Sequence, residues 1–343
     1  MSTLPRGARE VRLTVNPKGL PRPEHFEVVE VPLAVPKEDQ VLVRNRYFRV
    51  SASLRMMISE GAADIEGVPF AALRPGDTLA EEALGEVISA PQGCGLAPGD
   101  LVLHFLGWRE HAVVPARECR RVDDILPDPA AHLAHGFTAY AALTRGVRIC
   151  RGDSVFISSA AGAIGSMAGQ IARLLGAAKV FGSTSSQDKA HRLVSELGYD
   201  AAVTRGDGPI AAQLAKAAPE GFDVVIDNVG GEQLQAAVTA ARRGARILLL
   251  GALSGQLKPG GAGRSAPVEL DSFQLLLKEI TLRGYSADRD AELRPEWTRK
   301  FAEWLRSGEV CFPHAVVEGI QHAPKALEDA VEGRYFGTVL VKL

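Results

Sequence analysis

"VFISSAAGAIGSMAGQIARLLG" (residues 155–176) changes its period partway along. Its first residues form an apolar, β-branched and aromatic run that suits a strand buried on both faces. From Ile164 onward the apolar positions Ile164, Met167, Ala168, Ile171, Leu174 and Leu175 return at helical spacing. Between the two stands Ala160-Ala161-Gly162-Ala163-Ile164-Gly165, an AxGxxG turn. Gly162 would let the backbone approach a pyrophosphate, and Gly165 would let helix and strand pack closely. The free amides and positive dipole end of the helix favour an anion. The stretch therefore predicts a dinucleotide-binding loop, with Ala161, Gly162, Ala163, Ile164 and Gly165 against the pyrophosphate. The alternative is a tight turn with a structural role alone.

Downstream, short apolar strands alternate with helices. "AAKVFG" precedes helical "QDKAHRLVSELG"; "DAAVT" precedes an Ala-rich helix; "FDVVIDNVG" precedes helical "EQLQAAVTAARR"; "ARILLLGAL" and "ITLRGYS" follow. This alternation indicates βαβ units and a parallel sheet. The first 120 residues differ: "EVRLTV", "FEVVEVPL", "QVLVRNRYFRV", "LGEVISA" and "DLVLHFLG" read as strands separated by Pro, Gly and Asp. After Pro295 a helix ("PEWTRKFAEWLRSG") leads to a last strand, "GTVLVKL". The expected fold class is α/β. A Rossmann doubly wound parallel sheet (residues 126–304) would interrupt a mainly antiparallel β-rich domain made of residues 1–125 and 305–343.

Bulk properties agree with a two-domain globular chain. At 343 residues it exceeds what a single core usually supports. A net charge of −2 gives no electrostatic reason for a nucleic-acid or membrane partner. No apolar run reaches the roughly 18 residues of a membrane span, and "MSTLPRGAREVRLTV" lacks the apolar core of a signal peptide. A cytoplasmic location is expected. The four cysteines (Cys94, Cys119, Cys150 and Cys311) include no CxxC pair, which speaks against a disulfide framework or a structural zinc.

The choice of dinucleotide falls near the end of the second strand, about 20 residues past the last glycine. An acid there would bind the ribose 2′-hydroxyl of NAD. The sequence instead has "GSTSSQDK", with Ser185, Ser186 and Lys189, and Arg205 after the third strand. Hydroxyls and cations suit a 2′-phosphate. Lys189 and Arg205 can also be read as solvated surface charges, but the missing acid favours NADP(H).

Nearly the whole chain resembles the zinc-independent medium-chain dehydrogenase/reductase superfamily, in its prostaglandin reductase and plant double-bond reductase branch. The resemblance is carried by "FLGWREHAVV" (105–114), "GFTAYAAL" (136–143), "SAAGAIGSMAGQIARLLGA" (159–177), "FDVVIDNVGGE" (222–232) and "GRYFGTVLVKL" (333–343), in that order. It implies a GroES-like β-rich domain, NADPH, a small α,β-unsaturated carbonyl substrate and a homodimer. The implied reaction adds hydride to the β-carbon and a proton to the α-carbon. The resemblance also places Thr138 at the nicotinamide, and Asn228 with the turn Gly251, Ala252, Leu253 and Ser254 on the nicotinamide-ribose side.

No metal is expected. Zinc-dependent relatives need a Cys near position 51 and a Gly-His-Glu motif soon after; here stand "RVSASLRMM" and "EEALGEVIS". His132 and His135 are three apart and could share a helical face, but no third ligand accompanies them.

The substrate half departs from the family. Gln256 stands where the family's tyrosine is expected, and it can donate a hydrogen bond to an oxyanion but no proton. "DPYMR" becomes "SASLR" (51–55), Tyr335 replaces an amide expected near the nicotinamide, and Thr204 replaces a tyrosine. Tyr285 is a candidate substitute acid, with a core or interface aromatic as the alternative. His104 could face the cleft or be a satisfied structural histidine, and water is a further proton source. "GQLKPGGAGRSAPV" (255–268) reads as a mobile loop lining the site. Quinone reduction, and a non-reducing cyclase, isomerase or binding role that retains NADP(H), stay open as rival functions.

Overall fold

Six short apolar segments pair in parallel to form one sheet of the computed structural model, which describes residues 7–64, 71–122, 125–258 and 265–343. They are β1 (Ser154–Ile157), β2 (Lys179–Thr184), β3 (Ala201–Thr204), β4 (Phe222–Asp227), β5 (Ala241–Leu249) and β6 (Thr281–Gly284). Their spatial order is β3-β2-β1-β4-β5-β6, so the chain reverses direction across the sheet between β1 and β4. In such sheets ligands bind outside the carboxyl ends of the strands at that reversal. Four helices make the crossovers: α1 (Gly165–Leu174), α2 (Gln187–Leu197), α3 (Ile210–Ala217) and α4 (Gly231–Ala240).

Both faces of the sheet's centre are covered, which is why β1, β2 and β4 read as largely apolar runs, whereas the edge strand β6 is exposed. On one face Val155, Ile157, Val224 and Ile226 pack with Met167 and Ile171 of α1. Trp297 and Phe301, from the helix Arg294–Ser307, join the same core. On the other face Phe156, Val225 and Ile247 pack with Leu214 of α3 and Leu234 of α4. The helical reading of "EQLQAAVTAARR" runs too long. The helix ends at Ala240 and β5 starts at Ala241, where Arg242 pairs with Asp223 at 2.6 Å and Glu220 at 3.1 Å instead of continuing the turn.

The second sheet centres on Gln40–Val50, which pairs antiparallel with Ala83–Ser89, His111–Pro115 and the final strand Thr338–Lys342. Val339 faces Val50 and Lys342 faces Tyr47, so the chain's end closes onto its first part. One pair departs from the antiparallel expectation: His314–Glu318 runs parallel to Thr338–Lys342. A parallel pair needs a crossover. The helix Ala323–Val331 supplies it, burying Ala326, Leu327 and Val331 against the same core. No helix among the described residues is long and apolar enough to cross a membrane.

Candidate active site: a phosphate loop and an inter-domain cavity

Gly165 opens α1 directly behind the end of β1. A Cβ there would lie 2.4 Å from the Ser159 carbonyl oxygen and 2.6 Å from Ala160 Cα. Both are backbone atoms that cannot swing aside, so glycine is what lets the helix start so near the strand. At Gly162 a Cβ would come within 3.1 Å of Ser159 Oγ. Residues 162–164 are partly exposed; the Ser166 and Met167 amides donate to the Gly162 and Ile164 carbonyls at 2.9 and 3.2 Å, which leaves the amides of Ala163, Ile164 and Gly165 with no backbone acceptor among the described residues. The loop is pinned from the other domain: the Gly337 amide donates to the Ala161 carbonyl at 2.9 Å, and Gly162 and Gly337 form an isolated bridge. That geometry fits a pyrophosphate.

The ends of β2 and β3 bring the proposed 2′-phosphate residues together. The Arg205 amide donates to the Thr184 carbonyl at 3.0 Å, which places exposed Arg205 next to the Ser185–Ser186 corner along the neighbouring strand end. Ser186 caps α2 and accepts from the Lys189 amide at 3.4 Å. The Lys189 ammonium is half-buried and donates to the Gly333 carbonyl, to which Ser185 Oγ also donates at 3.4 Å. Burial pushes the Lys189 pKa down, and the nearby Arg192 guanidinium adds to that. Arg192 stacks 3.9 Å over the Phe336 ring and pairs with Glu196. Sequence reading missed Arg192, although its place three residues after Lys189 on the same helix was signal enough.

At the carboxyl end of β4, buried Asp227 ties three loops together. Its carboxylate accepts from Ser158 Oγ at 2.7 Å and from the Gly230 amide at 2.8 Å. Burial raises its pKa, and the hydrogen bonds from Ser158 and the amides of Val229 and Gly230 oppose that rise. Asn228 donates from Nδ2 to the Ser158 carbonyl at 2.8 Å, which leaves its buried Oδ1 with no partner among the described residues. A ribose hydroxyl would satisfy such an acceptor. The turn Gly251–Ser254 lies alongside: the Leu253 amide donates to the Asn228 carbonyl at 3.1 Å, and the Ser254 amide to the Val229 carbonyl at 2.8 Å. A Cβ on Gly251 would meet the Asn228 carbonyl oxygen at 2.7 Å, so the close approach of Ala252 and its neighbours requires that glycine.

A cavity of about 350 Å³ opens between the two sheets. Thr138, on the short helix Gly136–Ala141, lines it, as do His132 and His135. The two histidines do not share a helical face: His132 sits in a 3-10 turn and His135 at the start of the next helix. Burial, with the charge of Arg49 added, holds His135 well below the usual histidine pKa. The polar wall comprises Arg49, Ser51, Ser53, Glu81 and Glu82. Arg49 reaches Glu81 at 3.3 Å and Glu82 at 3.1 Å. The sequence marks Ser51 and Ser53, within "SASLR", as departures at the substrate half, and Glu81 only as a position without a zinc ligand. The signal for more was a tandem acid pair opening an otherwise apolar strand. Among the described residues, no three His, Cys, Asp or Glu side chains cluster so as to hold a metal ion.

The two expected catalytic residues are not brought to this cavity. Gln256 ends the short helix Leu253–Gln256, with Nε2 3.5 Å from Met56 Sδ. Its carbonyl, with that of Lys258 at 2.9 Å, receives the buried Arg55 guanidinium. The Tyr285 hydroxyl donates to Asp290, and burial together with that bond raises its pKa, so it is a poor acid. The Tyr335 ring packs on the β-rich domain's core, and His104 is buried in structural hydrogen bonds. Thr204 is buried. Of the expected loop 255–268, residues 259–264 lie outside the described residues.

A doubly wound sheet interrupting a second, β-rich sheet, with a phosphate loop and an inter-domain cavity, defines a dinucleotide-dependent oxidoreductase architecture. Comparison with known proteins agrees. Residues 9–122 match the family model "N-terminal domain of oxidoreductase", and residues 163–306 match "Zinc-binding dehydrogenase". A putative NADP-dependent oxidoreductase of Bacillus subtilis, YfmJ, is 31% identical, covering 98% of this chain and 97% of its own. Prostaglandin reductase 1 of Bos taurus is 30% identical over 94% of this chain and 95% of its own. The crystal structure of CurA in complex with NADPH, from Vibrio vulnificus, superposes with a TM-score of 0.87 at 26% identity, covering 97% of this chain and 98% of that one. The chain belongs to the medium-chain dehydrogenase/reductase superfamily, in its zinc-independent, NADP-dependent branch.

Proposed function

We propose that this protein is an NADPH-dependent reductase of the carbon–carbon double bond in small α,β-unsaturated carbonyl compounds. The observation that carries the reading is the convergence of Ser185, Ser186, Lys189 and Arg205 at the ends of β2 and β3, one strand away from the glycine loop. When bound there, the cofactor supplies hydride to the substrate's β-carbon. Gly162 to Gly165 would hold the pyrophosphate, Asn228 and the Gly251–Ser254 turn the nicotinamide ribose, and Thr138 would meet the nicotinamide at the cavity. With Tyr285 tied to Asp290 and Gln256 outside the cavity, the α-carbon proton comes from solvent in this reading. The same arrangement supports quinone reduction as a second reading, because that reaction needs no carbon acid. The division into 1–125 plus 305–343 and 126–304 belongs to the proposal, supported by the pairing of Thr338–Lys342 with Gln40–Val50.

A homodimer is part of the proposal too. β6 is the sheet's edge and all four of its residues are exposed; beside it Phe273, Leu276 and Leu277 are 63%, 69% and 60% exposed. An uncovered edge strand next to apolar surface suits pairing with a second copy.

The test is NADPH oxidation at 340 nm against a panel of enones, enals and quinones, with mass spectrometry of the products. A product two mass units heavier with a saturated carbon–carbon bond supports the reading. Hydroquinones alone would replace it with the second.

A further inference from the structure

The polar wall of the inter-domain cavity holds open hydrogen-bond acceptors as well as a buried donor, Arg49 Nε, that has no partner among the described residues. Ser51 Oγ lies 2.7 Å from Glu81 Oε2 and 2.6 Å from Ser53 Oγ. A carboxylate has no proton to offer, so Ser51 donates to Glu81. Its one proton is then used, and Ser53 must be the donor in the second bond. That leaves the Ser53 lone pairs open. Glu81, only 7% exposed, accepts on Oε1 from Arg49 at 3.3 Å and from the Glu82 amide at 3.2 Å. Among the described residues Oε2 accepts from Ser51 alone, which keeps room for one more donor. Glu81 is buried, and a buried acceptor left open costs free energy until a donor fills it.

The rest of the lining includes the apolar side chains Leu54, Met57, Phe105, Trp297 and Phe301. Charge does not select a charged head. Three arginines (Arg49, Arg120 and Arg294) face three acids (Glu81, Glu82 and Asp288) around the cavity.

We infer that this cavity selects a substrate with an apolar body and a hydroxyl group that donates to the Ser53–Glu81 acceptors. A site built to bond a hydroxyl discriminates strongly against an analogue that lacks the proton, because its own polar groups stay unpaired. Ser51 positions both partners by holding Glu81 on one side and the Ser53 proton on the other. The identity of the reacting bond rests on the enone reading; recognition of the hydroxyl does not.

The experiment uses a matched pair: 4-(4-hydroxyphenyl)but-3-en-2-one and its 4-methoxyphenyl analogue, which keeps the oxygen and removes the proton. Dissociation constants are measured by calorimetry on the full chain loaded with NADP⁺, for wild type, Ser53→Ala and Glu81→Gln. The hydroxyl compound should bind at least tenfold more tightly to wild type, and Ser53→Ala should bring the ratio within twofold. Glu81→Gln should do the same; Ser53→Ala removes one partly buried oxygen, so the test survives if the Glu81 variant fails to fold. A wild-type ratio below twofold, or binding of neither compound, overturns the inference. So does a ratio that persists in Ser53→Ala, because the preference would then be one of size. Turnover is scored separately. Selective binding without NADPH oxidation leaves hydroxyl recognition standing and removes the reductase reading, whereas reduction of both compounds with equal affinities does the reverse.

Discussion

Replacing Lys189 by Ala should weaken NADPH binding about ten- to thirtyfold and leave NADH within twofold. A hydrogen bond to a charged group is worth about 1.5–3 kcal/mol. Two features of the structure place Lys189 at the lower end. Its ammonium already donates one of its three protons to the Gly333 carbonyl, and burial disfavours its charge, with Arg192 adding to that. A net loss of about 1.5–2 kcal/mol corresponds to the stated factor. Arg205 is exposed, so its share should resemble that of a surface ion pair, about 0.2–1 kcal/mol, and shrink further as salt is added. Titration of NADPH and NADH fluorescence on both variants, at low and high salt, measures each value. Equal losses for the two cofactors would refute the 2′-phosphate assignment. An Arg205→Ala effect larger than that of Lys189→Ala would refute the weighting by burial.

Gly165→Ala should lower stability to urea by about 2 kcal/mol, the middle of the usual cost of overpacking, because the added methyl meets the Ser159 and Ala160 backbone. Unchanged stability would mean that the strand–helix contact is looser than it stands here. His104 should make the fold acid-sensitive. Its Nδ1 accepts from the Leu106 amide at 3.1 Å while its Nε2 donates to Asn45 Oδ1 at 2.9 Å, so protonation would set one N–H against another. Burial, then Arg109, pushes its pKa from 6.5 down to about 4. The unfolded chain therefore takes up a proton below pH 6.5 that the fold refuses until about pH 4, and stability falls as pH falls through that window. Between pH 7.5 and 4.5 this one residue should cost about 2.5 kcal/mol. Urea melts of His104→Gln should show a correspondingly flatter profile, and a parallel profile would count against the assignment. Leu276→Asp should convert a dimer to a monomer in analytical ultracentrifugation, and a wild type monomeric at micromolar concentration would end the homodimer proposal.

Taken alone, the sequence determined the elements and the sheet that carries the phosphate loop. Strand period, helix period and the two glycines of 155–176 are all decided by neighbours a few residues apart, which a linear reading sees in full. The proposed cofactor corner rests on equally local spacing: Ser185, Ser186 and Lys189 fall within one short stretch. Where a linear reading went astray, a distant partner intervened. The early end of α4 goes with the pairing of Arg242 to Asp223 and Glu220. Only the tertiary structure decided what each polar side chain bonds to. Gln256 looked like the tyrosine's replacement in line, yet Arg55, 201 residues away, holds its carbonyl at a place that does not line the cavity. Lys189 is occupied by Gly333, 144 residues on, and Ser51 meets Glu81 across 30 residues. A buried polar group must find a partner wherever the chain brings one, and which partner arrives is settled by strand register and domain closure, on which local spacing carries no information.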